Sequence, residues 1–280
     1  MARAAWRPIR GVDFGRLREA RLQAHHAVQW LARFARAFVP PQPDDRHTNL
    51  GWDDETNCFI TQPRDDLDLG LRLTDLKLVL AGESMQVSFT LDGRTDADTR
   101  LRLGDLLAAH DLDPGRLDAK LPYEIPDHAL ARAGTYDAGG LADALSELAA
   151  WFANADRSLD RVWEQMVARG HAPSPVRTWP HHFDMATLIL LEGGNAKHAR
   201  SVNAGFSPGD ENYEEPYFYV SPYPYPDSAK LPPLPLGHWH RQGFTAAVLP
   251  ASKIVATADR QAASETFLDA AVAAAMRALS

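Results

Sequence analysis

The sequence predicts an α+β protein, with mainly antiparallel sheet covered by long helices. Three observations predict it. The extended segments come in groups instead of alternating one-for-one with helices, which disfavours a doubly wound parallel sheet. Three stretches place apolar residues at spacings of three and four, as helices with one buried stripe do. Segments such as "LDLGLRLTDLKLVL" alternate leucine with polar residues, the pattern of a strand with one wet face. The order reads helix, three strands, helix, then helix, four strands, helix. We expect a single domain over 1–280, with two similar halves at 1–125 and 135–280. No residue-level repeat supports a duplication.

Leu17, Ala20, Ala24, Val28, Leu31, Ala35 and Phe38 mark the first helix. It must end at "VPPQP", because consecutive prolines cannot continue it. Extended stretches follow at 48–61, 68–80 and 84–92, with turns at "AGES" and "LDGRTD". A short helix is expected near 102–110, then an irregular connector, "DLDPGRLDAKLPYEIPDH". The clearest element comes next. Leu141, Leu145, Leu148, Phe152, Ala155, Leu159, Val162 and Met166 form one stripe over seven turns, with Asp137 as N-cap and Gly170 as stop. Four extended segments follow: "VRTWPHHFDMATLILLE", "HARSVNAGFS", "PYFYVSPY" and "GFTAAVLPA". A last helix carries Leu268, Val272, Ala275 and Leu279 on one face.

Composition narrows the function class. Hydrophobic residues make up 45% and charged residues 24%, as in soluble globular proteins. A net charge of −8 argues against a general nucleic-acid binder. Eight arginines lie between Arg3 and Arg36, but they alternate with apolar residues on the first helix and read as a solvated face. Cys58 is the single cysteine, so neither an intrachain disulfide nor a cysteine-rich zinc site can form. The longest apolar run, Met185–Leu191, is far short of the roughly 20 residues that span a membrane. The start "MARAAWRPIRG" lacks a signal-like apolar stretch. These features point to a cytoplasmic protein. Arginine outnumbers lysine 24 to 5, the usage of a GC-rich bacterial genome.

Candidate chemistry gathers in the second half. If "WPHHFD" lies on a strand, His182 and Asp184 share one face, with His181 and Phe183 on the other. "GHWHRQG" places His238 and His240 two apart. Two histidines and one carboxylate suit iron(II), manganese or zinc. We therefore take His182, Asp184, His238 and His240 as candidate ligands of a divalent metal that polarises a substrate oxygen or activates water. Asp184 and Glu211 are the candidate catalytic residues, with Glu211 from "SPGDENYEEP" as general base. The His-x-Asp pair resembles the iron site of 2-oxoglutarate-type oxygenases. The arginine and serine that clamp the cosubstrate are not in the expected form, and Lys253 replaces them poorly. That reading is set aside.

Tyr217, Tyr219, Tyr223 and Tyr225 recur at even spacing in "YFYVSPYPYPD". With His181, Trp179 and Trp239 they predict an aromatic cleft for a small ligand. "LEGGNAKHAR" has Gly193, Gly194 and Lys197 but no phosphate-cradling pattern. No G-x-S-x-G nucleophile elbow occurs.

Three further stretches carry a family resemblance: Phe183–Asp184, the turn "GFSPG" at Gly205–Gly209, and the aromatic run from Phe218 to Pro224. On these the chain resembles a bacterial family of uncharacterised proteins, a domain of unknown function. The resemblance covers most of the chain and implies a shared fold. It brings no activity with it, and it retains Phe-Asp without requiring the histidines. It therefore makes Asp184 the firmer site residue. Our expectation is a metal-dependent enzyme acting on a small polar or aromatic molecule. The alternatives are a metal-free small-ligand binding protein with an aromatic cleft, or a subunit of a larger assembly joined through the Tyr/Pro segment. Neither nucleic acid nor membrane is an expected partner, and the sequence leaves the oligomeric state open.

Overall fold

The structure, a computed structural model, describes residues 5–11, 13–191, 199–227 and 231–280. Gly193, Gly194 and Lys197 lie outside the described residues. The chain divides into two compact units. The first comprises Val12–Ala149 and Thr178–Phe183. The second comprises Met1–Gly11, Ala150–Arg177 and Asp184–Ser280. The division is interleaved, unlike the expected halves at 1–125 and 135–280. Two segments cause this: the long third helix spans both units, and a six-residue piece returns to the first.

In the first unit, α1 (Phe14–Phe38) starts at Asp13, whose carboxylate accepts from the backbone N–H groups of Gly15 and Arg16 at 2.9 and 3.3 Å. This satisfies donors that a helix start leaves open. All seven residues of the predicted stripe are buried. So are Arg21, His25, His26 and Gln29; of the arginines read as a solvated face, Arg16 and Arg18 are exposed and Arg21 is the buried exception. Strands β1 (Gly51–Asp53), β2 (Cys58–Ile60), β3 (Asp68–Arg72), β4 (Lys77–Gly82) and β5 (Met85–Thr90) form an antiparallel meander in chain order.

Two of the three predicted stretches are therefore hairpins. In "LDLGLRLTDLKLVL" the buried leucines run at odd positions to Leu73, then at even positions from Leu76. The phase breaks at a turn where Leu76 has φ +45° and the Arg72 guanidinium holds Asp75 with bonds of 2.8 and 2.6 Å. Register then aligns Phe59, Leu71, Leu78 and Phe89 in one cross-strand row on the buried face. Helix α2 (Asp96–Ala108) begins earlier than expected because Thr95 and Asp98 form a reciprocal capping box.

The returning piece, 178–183, begins with two extended residues and ends in a turn at 180–183 that α1 holds. His25 Nε2 and Gln29 Nε2 each donate to the Pro180 carbonyl at 2.9 Å. Phe183 is buried, stacked on His25 at 5.3 Å and edge-on to Phe59 at 5.6 Å. Desolvation lowers the His25 pKa from 6.5 to about 4, so the ring is neutral when folded. A lowered folded-state pKa means that the unfolded chain binds the extra proton first. The stability from a neutral His25 is complete above about pH 6.5 and drains away as the pH falls toward 4, by about 3 kcal/mol. Urea unfolding of the parent and His25→Gln at neutral pH and near pH 4 measures this. The variant is expected to show the shallower acid dependence, and equal slopes would refute the assignment.

The second unit is built on residues 150–168 of α3 (Ala142–Ala168). All eight residues of the predicted stripe are buried, and Gly170, with φ +84°, stands past the helix end. Strands β6 (Arg177–Trp179), β7 (Asp184–Leu190), β8 (Ser201–Ser207), β9 (Tyr217–Tyr223), β10 (His238–His240) and β11 (Ala246–Pro250) form a sheet in the order β10-β11-β9-β8-β7-β6. The short α4 (Ala251–Val255) and the long α5 (Arg260–Leu279) follow.

One face of this sheet, carrying Met185, Phe206, Phe218 and Val220, is the core. Phe206 packs against Trp151 and Phe152 of α3, and α5 lies along β9. Arg161 joins the two helices through Asp269 at 2.9 and 2.5 Å. The other face carries Asp184, Asn203, Gly205, Tyr217, Tyr219, His238 and His240, as strand alternation and register require. Among the described residues, no helix is long and apolar enough to cross a membrane.

Candidate functional site

The polar face of the second unit gathers three tyrosines, two acids and two histidines. Asp210 organises the loop between β8 and β9. One of its carboxylate oxygens accepts from the N–H groups of Asn212 and Tyr213 at 2.7 and 2.9 Å. The other accepts the Tyr217 hydroxyl at 2.5 Å. Such Asx-type bonding shapes the turn and carries Tyr213 back over the sheet. Tyr219 donates to Asp184 Oδ2, also at 2.5 Å, and Asn203 Nδ2 reaches the same hydroxyl at 3.4 Å. Desolvation, reinforced by these carboxylates, raises the pKa values of Tyr217 and Tyr219 well above 10. Both remain neutral phenols that donate.

Gly205 makes the Tyr219 position possible. It is the cross-strand partner of Tyr219, and a Cβ there would lie 2.4 Å from the ring's Cζ. The ring occupies the space that any side chain at 205 would need.

Tyr213 links the two histidines. Its hydroxyl lies 3.0 Å from His238 Nε2 and 3.0 Å from His240 Nδ1. The bond directions follow from one further contact. His240 Nε2 lies 2.7 Å from the Gln242 carbonyl, which can only accept, so Nε2 carries a proton. With the ring neutral, Nδ1 is bare and accepts from Tyr213. The Tyr213 oxygen then accepts from His238 Nε2–H. The result is a directed chain, His238 to Tyr213 to His240 to the Gln242 carbonyl. His238 is exposed, and desolvation together with His240 lowers its pKa below 6.5. Burial, then Asp210, raises that of Tyr213. His240 also stacks on Phe244, with ring centres 4.1 Å apart. These groups form a rim with hydrogen-bonding edges and an aromatic face.

The predicted metal set is not assembled. Residues 180–183 form a turn in which Phe183 N–H donates to Trp179 O at 2.7 Å and Phe183 has φ +55°. The strand alternation assumed for His182 and Asp184 therefore fails. His182 is exposed in the first unit, and Asp184 belongs to the second, bonded to Tyr219. His238 and His240 do come together, but around a tyrosine hydroxyl. Among the described residues, no group of three His, Cys, Asp or Glu side chains is arranged to hold a metal ion.

Three other expectations are corrected. Glu211 is exposed, and Asp210 is the loop acid that reaches the tyrosines. Trp239 alternates to the opposite face from its flanking histidines, with Nε1 donating to the Pro232 carbonyl at 2.8 Å. His181 lies in the first unit, 5.5 Å from the Tyr123 ring and 5.8 Å from Trp179, and burial lowers its pKa to about 4. Tyr217 and Tyr219 stand where the alternation put them. Tyr223 and Tyr225 are 49% and 52% exposed, outside this cluster. Sequence reasoning missed Tyr213 and Phe244. Tyr213 precedes Tyr217 by four residues in a loop, where no periodicity marks it.

No curated protein matches the chain, and no solved structure does. Over residues 54–280, from the hairpin of β1 and β2 to the end of α5, the chain matches the family of unknown function DUF5996. That span takes in every residue of the tyrosine–histidine cluster and both sheets almost entirely, and the chain belongs to this family.

Proposed function

We propose that this chain is a bacterial, cytoplasmic small-ligand binding protein with no resident metal. Its ligand, a small polar or aromatic molecule, sits on the rim formed by Tyr213, His238, His240 and Phe244. The observation that carries the reading is the Tyr213 hydroxyl held between two imidazoles at 3.0 Å each. The hydroxyl donates to His240 Nδ1 and accepts from His238 Nε2–H, which leaves the exposed His238 with Nδ1 as an acceptor beside an aromatic surface. A ligand with a donor group and a ring meets both features. Behind the rim, Asp210–Tyr217 and Asp184–Tyr219 fix the sheet face so that little ordering remains to be done on binding.

The test is a thermal-shift screen of small phenols, aromatic amines and sugars against the parent, Tyr213→Phe and His238→Ala, with metal content measured in parallel. Ligands that stabilise the parent are expected to lose at least tenfold in affinity in both variants, the equivalent of about 1.4 kcal/mol. Tyr213→Phe itself is expected to cost only about 1 kcal/mol of stability. Near-stoichiometric metal that disappears in His238→Ala would overturn the metal-free reading. Ligand binding indifferent to both variants would remove the rim from consideration.

A further inference from the structure

The first unit contains a cavity of about 810 Å³ between α1 and the connector that follows α2. That size falls within the roughly 300–1,000 Å³ of small-molecule sites. Trp30 and Tyr123 supply aromatic walls, His26 and Arg33 project from α1, and Lys120 and Glu124 come from the connector. Tyr123 is held in place by its hydroxyl, which donates to Gln29 Oε1 at 3.0 Å. Gln29 is itself fixed, because its amide donates to the His25 and Pro180 carbonyls at 2.9 Å each.

The charges around the cavity are unevenly satisfied. Asp118 is chelated by Arg100 at 2.6 and 2.8 Å, and Asp127 by Arg132 at 2.7 Å through both oxygens. Asp96 accepts the Tyr136 hydroxyl at 2.9 Å, and Glu124 is exposed to water. Arg33 differs. It is half-buried, and Nη1 donates to the carbonyls of Leu117 and Ala119 at 3.1 and 3.2 Å. Among the described residues, no carboxylate forms an ion pair with it. Its guanidinium lies 5.8 Å from the centre of the Trp30 ring, within cation–π range. A guanidinium fixed by two carbonyls and an aromatic ring still has Nε and Nη2 to offer. That edge matches a carboxylate in the two-point geometry that guanidinium favours. Lys120, exposed and without an ion pair among the described residues, adds a second positive charge at the same cavity.

We propose that this cavity is a second binding site, for a small organic carboxylate bearing a planar ring. The carboxylate pairs with Arg33 and the ring lies against Trp30 and Tyr123. The site is independent of the tyrosine–histidine rim, which belongs to the other unit.

Calorimetric titration of the full chain with benzoate, acetate and benzamide tests it. Benzoate carries both features, and each of the others carries one. Benzoate is expected to bind at least tenfold more tightly than either. Arg33→Gln should weaken benzoate at least tenfold, Trp30→Phe severalfold, and Lys120→Gln two- to threefold. Lys120 is exposed, so its variant keeps the test open should Arg33→Gln misfold. Three results would overturn the proposal: no benzoate binding tighter than about 10 mM, benzamide binding as well as benzoate, or benzoate binding lost in His238→Ala and retained in the Arg33 and Lys120 variants.

Discussion

Phe206→Ala is expected to cost about 3–5 kcal/mol of stability, the range for deleting a fully buried aromatic ring. Phe206 has no exposed surface. Its ring stands 5.3 Å from Phe152, edge to face, and 5.4 Å from Phe218. Trp151 stacks on it at 6.2 Å with the planes 13° apart. Four aromatic rings from α3, β8 and β9 therefore meet at this side chain. Removing it deletes the ring and leaves walls too rigid to close the space. Denaturant unfolding at neutral pH measures the loss, and Phe206→Leu should cost less because much of the volume remains. A loss below about 1 kcal/mol for the alanine variant would mean that the helix–sheet contact is not where this unit's stability resides.

Gly205→Ala, one residue away, should be nearly as damaging for the opposite reason. The new Cβ would fall 2.4 Å from Tyr219 Cζ, 2.5 Å from its hydroxyl oxygen and 2.7 Å from Cε1. The ring must leave the sheet and take its bond to Asp184 with it. Overpacking contributes about 1–3 kcal/mol. Losing a hydrogen bond to a charged group contributes about 1.5–3 kcal/mol more. We expect a net loss of about 3 kcal/mol, together with altered ligand affinity at the rim. The cause can be isolated with Tyr219→Ala, which clears the ring. The double variant should then be more stable than the sum of the single losses predicts, by at least about 1 kcal/mol. Strict additivity would show that the ring is not the obstacle.

The helices were legible because a helical stripe repeats many times. The stripe from Leu141 to Met166 survives any single misjudged residue, and all its members are buried. The strands were legible as regions but not as units. Alternation resumes after the turn at Leu76 with its parity shifted, and one stretch was read where two strands exist. The parity change between Leu73 and Leu76 was the available signal. "WPHHFD" was misread for a related reason. Pro180 cannot donate to a ladder, which argues against a continuous strand there. The residue that reverses the chain, Phe183 with φ +55°, gives no local hint, because burial against His25 and Phe59 compensates a conformation that phenylalanine rarely adopts.

At the site, strict two-residue alternation worked wherever a strand was real. Tyr217 and Tyr219 point together, and His238 and His240 flank Trp239 on the other face. It could not reach Tyr213 or distinguish Asp210 from Glu211. Those positions are set by side-chain bonds to the loop's own backbone, and no periodicity records them.

The interleaved chain path has a consequence for biosynthesis. The first unit is complete only with Thr178–Phe183, which fills the place beside His25 and Phe59. A ribosome makes those six residues after Ala150–Arg177, a segment of the other unit. While that stretch emerges, α1 waits with His25 and Gln29 lacking the Pro180 carbonyl and an apolar socket open where Phe183 belongs. The first unit therefore cannot close as soon as Ala149 is made, because its last step depends on chain that arrives some thirty residues late.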